Sequence, residues 1–370
     1  MTHLSDTEQN RYARHLILDE VGIEGQEKIK NASILCVGSG GLGAPLLMYL
    51  AAAGVGKIGI VDFDRVEISN LQRQIIHGDS NLGQEKVESA AARMADINPH
   101  ISIQTYNVAF TSDNALEIAQ GYDLIVDGTD NFPTRYLIND VSEILGIPNI
   151  YGSVYKFEGQ ASVFNYQGGP TYRDLYPDPP PPEMVPNCAE GGVLGVLPGL
   201  IGMIQATETL KVILGLGETL SGRLLLYDAK KMSFRELKLV RAENAKIISK
   251  LVDYQRLCGI LPRDKEDFER LNVVEVNEKI NASWSPFVID VRTREEAALL
   301  SLSFTDLQQS HEEIETVFSQ IPKDVDILVY CRSGVRSAMA CSKLTESGFK
   351  NVVNLEGGIQ AWMVLKKKDE

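Results

Sequence analysis

The feature that most constrains this chain is the run Ile34-Leu35-Cys36-Val37-Gly38-Ser39-Gly40-Gly41-Leu42-Gly43. An apolar stretch leads into a glycine-rich turn, and the small-residue segment Ala44 to Ala53 follows. This is how a buried parallel strand hands over to a helix whose N-terminus faces phosphate. Gly38 suits the tight turn, Gly40 lets backbone approach a ligand, and Gly43 lets the helix pack close to the sheet. Alone, the turn fits a nicotinamide-dinucleotide site equally well. The residues after it narrow the choice.

Strands are expected at Ala32–Gly38, Lys57–Asp62, Ile101–Val108 and Leu124–Asp127, and a further one from Asn149. Helices are expected at Gln84–Ile97, Asp113–Gln120 and Thr134–Leu145. Alternation at this spacing implies an α/β fold with a doubly wound, mostly parallel sheet, whose ligands sit at the carboxyl ends of the strands. Asp62, Asp64 and Asp130 all fall at such ends, with Asn131 beside them. Three carboxylates beside a glycine turn suit a magnesium–nucleotide site better than a nicotinamide one. Between them, Asp64 to Gln74 is too polar for a core element and rich in donors. Arg73 and Lys86 are placed to neutralise a triphosphate. Near the N-terminus, Glu8–Ile17 reads as a short helix with Arg11 and Arg14 on one solvated face.

From Gln160 the pattern turns to β, at Ala161–Tyr166, Arg223–Tyr227 and Arg235–Leu239. Tyr176–Pro186, rich in proline, reads as an extended crossover. It delivers Asn187-Cys188-Ala189-Glu190-Gly191-Gly192 ahead of a helical stretch near Val193, where a helix dipole favours a thiolate at Cys188. Arg241–Arg270 is charged and reads as a linker region. A second α/β pattern follows: a strand at Phe287–Asp290, helical segments at Glu295–Leu300 and Glu312–Gln320, and a strand at Ile327–Tyr330. That strand runs into Cys331-Arg332-Ser333-Gly334-Val335-Arg336-Ser337, with a helix expected over Ala338–Leu344. Backbone N–H groups of such a loop converge on the sulfur, and Arg332 and Arg336 add positive charge. The cradle suits a thiolate, a persulfide or an oxyanion, so a Cys-based phosphatase loop is the rival reading.

The net charge of −14 argues against nucleic acid as a partner. Met1–Asn10 is polar and does not read as a signal peptide. No bilayer span is expected: the longest apolar candidate, Val193–Leu214, contains Pro198, Glu208 and Lys211. The five cysteines show no disulfide-framework spacing, which points to a reducing cytoplasm.

Taken together, these motifs are recognisable. Arg11 to about Cys258 resembles the MoeB/ThiF family of ubiquitin-activating-like adenylyltransferases. The resemblance rests on the glycine turn, Asp62-Phe63-Asp64, Ser69-Asn70-Leu71-Gln72-Arg73-Gln74, Lys86, Asp127-Gly128-Thr129-Asp130-Asn131 and the Cys188 segment. From about Asn272 the chain resembles a rhodanese domain, through Asp290-Val291-Arg292, the Cys331 loop and Gly357-Gly358-Ile359-Gln360-Ala361-Trp362. The implied organisation is a Rossmann-like adenylation domain over residues 1–245, a linker over 246–271 and a smaller α/β rhodanese domain over 272–370.

The resemblance implies that Gly38, Gly40, Gly41, Asp62, Asp64, Ser69, Asn70, Arg73, Gln74, Lys86, Asp130 and Asn131 bind ATP, with Asp130 holding magnesium. It implies that Arg14 reaches into the nucleotide site of a second subunit, hence a homodimer. The implied substrate is a ubiquitin-like sulfur carrier ending in Gly-Gly, whose carboxylate attacks the α-phosphate to give an acyl-adenylate. Cys188 matches the crossover cysteine, which takes the acyl group as a thioester or joins a mixed acyl disulfide. Cys331 matches the rhodanese cysteine, loaded as a persulfide by thiosulfate or a cysteine desulfurase and cradled by Arg332, Ser333, Gly334, Val335, Arg336 and Ser337. Molybdopterin and thiamine synthesis are the implied pathways.

Two departures stand out. Many members bind zinc through two CxxC pairs; here Thr171-Tyr172-Arg173-Asp174 stands in the first place and only Cys258 remains near the second, so no zinc is expected. The segment after the Asp-Val-Arg strand, Leu299–Phe304, also departs from the rhodanese pattern. Two rival classes remain: a carrier-docking module with a stand-alone thiosulfate sulfurtransferase, and a nicotinamide oxidoreductase fused to a phosphatase-like loop.

Overall fold

The computed structural model describes residues 3–180, 192–243, 248–258 and 267–369. They form two compact units, residues 3–178 with 192–252 and residues 179–180 with 253–369.

The first unit is built on an eight-stranded sheet of order β3-β2-β1-β4-β5-β6-β7-β8. β1 (Ser33–Val37), β2 (Lys57–Val61), β3 (Ser102–Tyr106), β4 (Leu124–Asp127) and β5 (Asn149–Tyr155) are parallel. β6 (Glu158–Phe164), β7 (Arg223–Asp228) and β8 (Ser233–Lys238) continue the sheet antiparallel. Strand order reverses between β1 and β4, and Val37 lies level with both Val61 and Asp127. A crevice must open above that reversal, since the connections leave to opposite sides. The apolar runs of β1 and β4 are fully buried, as strands covered on both faces must be. Helices Gly43–Ala53 and Lys86–Ile97 and the long helix Val196–Leu214 cover the sheet, and their Leu46, Leu50, Val87, Met94 and Ala206 share one core with Ile34 and Val126.

Several boundaries depart from expectation for physical reasons. The N-terminal helix is two pieces, Asp6–Arg11 and Ala13–Leu16, broken at Tyr12. Tyr12 is buried, and its hydroxyl meets the Asn98 amide at 2.9 Å. Pro198 does not interrupt its apolar stretch: Val196–Leu214 is one helix, with the proline in its first turn, where a missing N–H costs nothing. That helix is long and apolar enough to cross a membrane by length and composition. Here it packs on β5, β6 and the Gly43–Ala53 helix, with Gln205, Glu208 and Thr209 buried.

The second unit is a five-stranded parallel sheet of order β11-β10-β12-β13-β9. Its strands are β9 (Glu269–Leu271), β10 (Phe287–Asp290), β11 (Leu307–Gln308), β12 (Ile327–Tyr330) and β13 (Val352–Leu355). Helices Val273–Asn281, Val335–Glu346 and Gly358–Asp369 pack on it. Ile314–Gln320 is a 3-10 helix rather than the expected α-helix. Within the stretch read as a linker, Tyr254–Leu257 is a short helix packed on Val335–Glu346, and Glu269–Leu271 supplies β9.

Candidate active sites

The crevice above β1, β2 and β4 gathers residues that the sequence scatters over nearly one hundred positions. Gly38, Gly40 and Gly41 form its floor. Asp62, Asp64, Arg73, Gln74 and Lys86 line one side, and Asp130 and Asn131 the other. Each glycine has its own reason. Gly38 sits at φ +97°, and a Cβ there would lie 2.8 Å from Gly128 O. At Gly43 a Cβ would lie 2.2 Å from Gly38 O, so only glycine lets the helix start directly under the turn. At Gly40 the nearest side-chain atom would be 3.6 Å away, so the protein leaves that space open, as a phosphate cradle requires.

Asp62 braces the turn: its Oδ2 accepts from Ser39 N–H and Ser39 Oγ–H, each at 2.9 Å, and its Oδ1 accepts from Asp64 N–H at 3.0 Å. Lys86, at the start of its helix and 5% exposed, donates to Asp64 Oδ2 at 2.8 Å. The pair holds a buried ammonium at the crevice wall, ready for a stronger anion. Arg73 donates to Ser69 O at 3.0 Å. Asn70 is buried away from the lining; its Oδ1 accepts from Glu67 N–H at 3.1 Å, and its carbonyl accepts from Gln74 N–H at 2.9 Å. Asn70 thus shapes the turn that presents Arg73 and Gln74. Ser69 is exposed and also outside the lining. Asn131 caps the Phe132–Leu145 helix through Thr134 N–H at 3.0 Å, and Asp130 beside it is exposed. Below them, Asp127 Oδ1 accepts from Thr129 N–H at 2.9 Å and Oγ1–H at 2.6 Å, and burial pushes the Asp127 carboxyl up.

The sequence reading missed the apolar side of the crevice: Phe63, Val108, Phe110, Val154 and Pro198. Phe63 is 65% exposed, directly after Asp62. An exposed aromatic at a strand end was the available signal. Arg14 is exposed on its short helix and does not line its own chain's crevice. Cys188 lies outside the described residues.

No group of three or more His, Cys, Asp or Glu able to hold a metal occurs among the described residues. The donor set fits magnesium only in the manner usual for that ion, one or two carboxylates with the nucleotide's phosphates completing the shell. Asp130 and Asp64 are the available carboxylates. The Thr171–Asp174 turn has its own fastening: Asp174 caps Thr171 N–H at 2.7 Å, and Arg173 grips Asp140 at 2.7 and 2.8 Å.

The second site surrounds Cys331, fully buried at the end of β12. Gly334 N–H donates to its Sγ at 3.1 Å and Ser337 Oγ–H at 3.5 Å. Gly334 adopts φ +95°, which frees its N–H to turn inward at the start of the Val335–Glu346 helix. The Gly357-Gly358 turn closes on the loop: Ile359 N–H donates to Cys331 O at 2.9 Å and Gln360 N–H to Arg332 O at 3.1 Å. A Cβ on Gly358 would lie 2.5 Å from Cys331 O. Arg332 is exposed and Ser333 half-buried. Arg336 does not join the cradle as expected, because both its terminal nitrogens pair with Glu296, at 2.7 and 2.8 Å. The irregular Leu299–Phe304 segment is fastened by Arg292, which donates to Leu300 O at 2.6 Å, and by Tyr330 Oη, which accepts from Leu302 N–H at 3.2 Å.

The fold and these two sites define the class. Residues 12–249 match the ThiF family and residues 272–364 the rhodanese-like domain. The chain belongs to the ThiF family and carries a rhodanese-like domain behind it. It is 45% identical over 367 residues to the probable adenylyltransferase/sulfurtransferase MoeZ of Mycobacterium tuberculosis, covering 97% of this chain and 94% of that one. It is 40% identical over 388 residues to the adenylyltransferase and sulfurtransferase MOCS3 of Culex quinquefasciatus, covering 98% and 89%. It is 49% identical over 264 residues to the sulfur carrier protein adenylyltransferase of Thermus thermophilus, covering 68% and 97%. The crystal structure of E. coli MccB with MccA-N7isoASN shares the fold, with TM-score 0.59 and 18% identity over 67% of this chain and 76% of that one.

Proposed function

We propose that this enzyme adenylates the C-terminal Gly-Gly carboxylate of a ubiquitin-like sulfur carrier and then supplies sulfur from Cys331 to make the carrier's thiocarboxylate. The observation that carries the reading is the crevice itself, where a glycine turn with an open Cβ position meets Arg73, Lys86 and Asp130.

A carboxylate is a poor electrophile, and joining it to AMP supplies a leaving group. Backbone N–H groups from Gly40 onward suit the phosphates, and the apolar wall of Phe63, Val108 and Phe110 suits the adenine. Arg73 and Lys86 stabilise charge that builds on the phosphates as the carrier's carboxylate attacks Pα and pyrophosphate departs. Bound magnesium would add Lewis-acid neutralisation of the same charge, held by Asp130. No base is needed, since the nucleophile is already ionised.

The sulfur step follows with atoms accounted for. The terminal sulfur of a Cys331 persulfide attacks the acyl carbon and AMP leaves, giving an acyl disulfide. A second thiol then attacks the Cys331 sulfur and releases the thiocarboxylate; Cys188 is the proposed thiol, and an external thiol must reduce the resulting disulfide. In the other route Cys188 first takes the acyl group as a thioester. Thiosulfate or a cysteine desulfurase is the proposed source of sulfur. The proposal includes a homodimer in which Arg14 serves the partner's crevice, the domain limits 1–245 and 272–370, a role in molybdopterin or thiamine synthesis, and a cytoplasmic setting, supported by free thiols at Cys36 and Cys331.

The test is the intact mass of candidate Gly-Gly carriers incubated with the enzyme, ATP, magnesium and thiosulfate, beside Cys331→Ala. Wild type is expected to exchange one carrier oxygen for sulfur, and the variant to stop at the adenylate. A carrier that stays unchanged with both proteins would refute the reading.

A further inference from the structure

The Cys331 loop ends in Arg336, and a guanidinium there has two natural targets: the loop's own bound anion, or a carboxylate outside it. The structure spends it outside. Arg336 Nη1 donates to Glu296 Oε2 at 2.7 Å and Nη2 to Oε1 at 2.8 Å, a two-point pair. Glu296 is itself anchored. Its Oε2 accepts from Thr293 N–H at 3.1 Å, closing the capping box of the Arg294–Leu299 helix, and its carbonyl accepts from Arg292 Nη1 at 3.4 Å. Arg292 in turn is held on buried Asp290 through Nε at 2.9 Å. The carboxylate is fixed to the framework, so the pairing sets where the guanidinium points.

The loop backbone is held by other means. The Gly357-Gly358 turn bonds Cys331 O and Arg332 O, and Asn354 Nδ2 donates to Gly334 O at 3.1 Å. Charged groups near Cys331 include Arg332, exposed on the loop, the Arg336–Glu296 pair on the two helices, the internally neutral Asp290–Arg292 pair at the end of β10, and Glu356, whose backbone lies against Gly334.

We propose that Glu296 is a specificity-determining residue of the sulfur-transfer loop: by holding Arg336 in a two-point ion pair, it leaves Cys331 a cradle of neutral donors and weakens the loop's grip on dianionic oxyanions, thiosulfate included, in favour of a singly charged persulfide. This rests on the sulfurtransferase reading of Cys331. A persulfide carries one charge and is served by Gly334 N–H and Ser337 O–H. A phosphate ester carries two and calls for a guanidinium fork. The pair thus separates this loop from the phosphatase loop that was its rival reading.

The experiment uses the full chain and the variants Glu296→Gln, Glu296→Asp and Glu296→Gln with Arg336→Gln. Alkylation of Cys331 by iodoacetamide is followed by peptide mass across pH, with and without inorganic phosphate. Glu296→Gln is expected to move the alkylation midpoint down by about one pH unit. Phosphate should then protect Cys331 at roughly tenfold lower concentration than in wild type, and KM for thiosulfate should fall while kcat does not rise. Glu296→Asp should shift in the same direction by less, and the double variant should return to wild type. Unchanged profiles and unchanged protection would overturn the proposal, as would a midpoint that rises, since that marks a purely structural role. Failure of wild type to turn over thiosulfate would count against the sulfurtransferase reading, yet the alkylation and phosphate arms would still decide the role of Glu296.

Discussion

Two glycines three residues apart separate folding from chemistry. At Gly43 an added methyl meets a backbone oxygen, Gly38 O at 2.2 Å, which cannot swing away. Gly43→Ala is expected to cost about 1–3 kcal/mol in chemical denaturation and to lose ATP–pyrophosphate exchange with it. At Gly40, earlier in the turn, the same methyl meets only the Gln74 amide at 3.6 Å. At Gly41, by contrast, an added methyl would lie 3.1 Å from Pro198. Gly40→Ala is expected to melt within a degree or two of wild type and to raise KM for ATP at least about tenfold, because its methyl occupies the phosphate cradle. The roles of Gly38, Gly40 and Gly43 were legible because each follows from its place in a strand–turn–helix unit. Glu296 was not, because nothing local links it to Arg336 forty residues away. Its pairing also has a pH signature. The hydrogen bonds from Arg336 hold the Glu296 carboxyl down at about 2, well below the usual glutamate value of 4.5. A depressed carboxyl contributes stability that is present above the unfolded value and lost as pH falls through the folded one. The stability difference between wild type and Glu296→Gln is therefore expected to be full at pH 7 and to fade between about pH 4.5 and 2, by roughly 1–2 kcal/mol after allowance for partial exposure. Urea midpoints at pH 7, 4.5 and 3 check it.

At the scale of elements, the alternating parallel core could be read directly, since β1 and β4 are uninterrupted apolar runs between helices. The start of β6 was less legible: Glu158, Gly159 and Gln160 look like a turn, and they enter the sheet only because β5 and β7 pair on either side. The Thr171–Asp174 turn shows an element whose fastening replaces a local rule with a long-range one. Four residues cannot hold a helix alone. This one is capped by Asp174 and tied to the Phe132–Leu145 helix by Arg173 on Asp140, which is 1% exposed, and Ala242 N–H donates to Asp174 Oδ1 at 2.9 Å. Asp140→Ala leaves a guanidinium without its buried partner, and a loss of about 2–4 kcal/mol is expected in denaturant titration. Incubation with a chelator should leave the wild-type midpoint unmoved. A chelator-sensitive midpoint would show that a metal, not this ion pair, fastens the turn.

For the whole molecule, the described side chains of each site come from one unit, so the two half-reactions should separate by mutation. Cys331→Ala is expected to keep ATP–pyrophosphate exchange, and Asp130→Ala to keep thiosulfate turnover. Arg14 is the exception that carries the argument beyond one chain. It is exposed and lies outside its own crevice, so a catalytic role for it demands a crevice from somewhere else. In a two-fold dimer, residue i of one subunit serves the other and the reverse also holds. If so, Arg14→Ala and Asp130→Ala should each abolish carrier-dependent exchange alone, yet restore about a quarter of wild-type activity when the chains are mixed and allowed to trade partners. Half of the random pairs are then hybrids, and each hybrid has one site with both residues intact. An Arg14 acting on its own chain leaves every hybrid site defective, and the mixture stays inactive. Exchange rates of the mixture against the two parents therefore decide whether the nucleotide site is the property of one chain or of two.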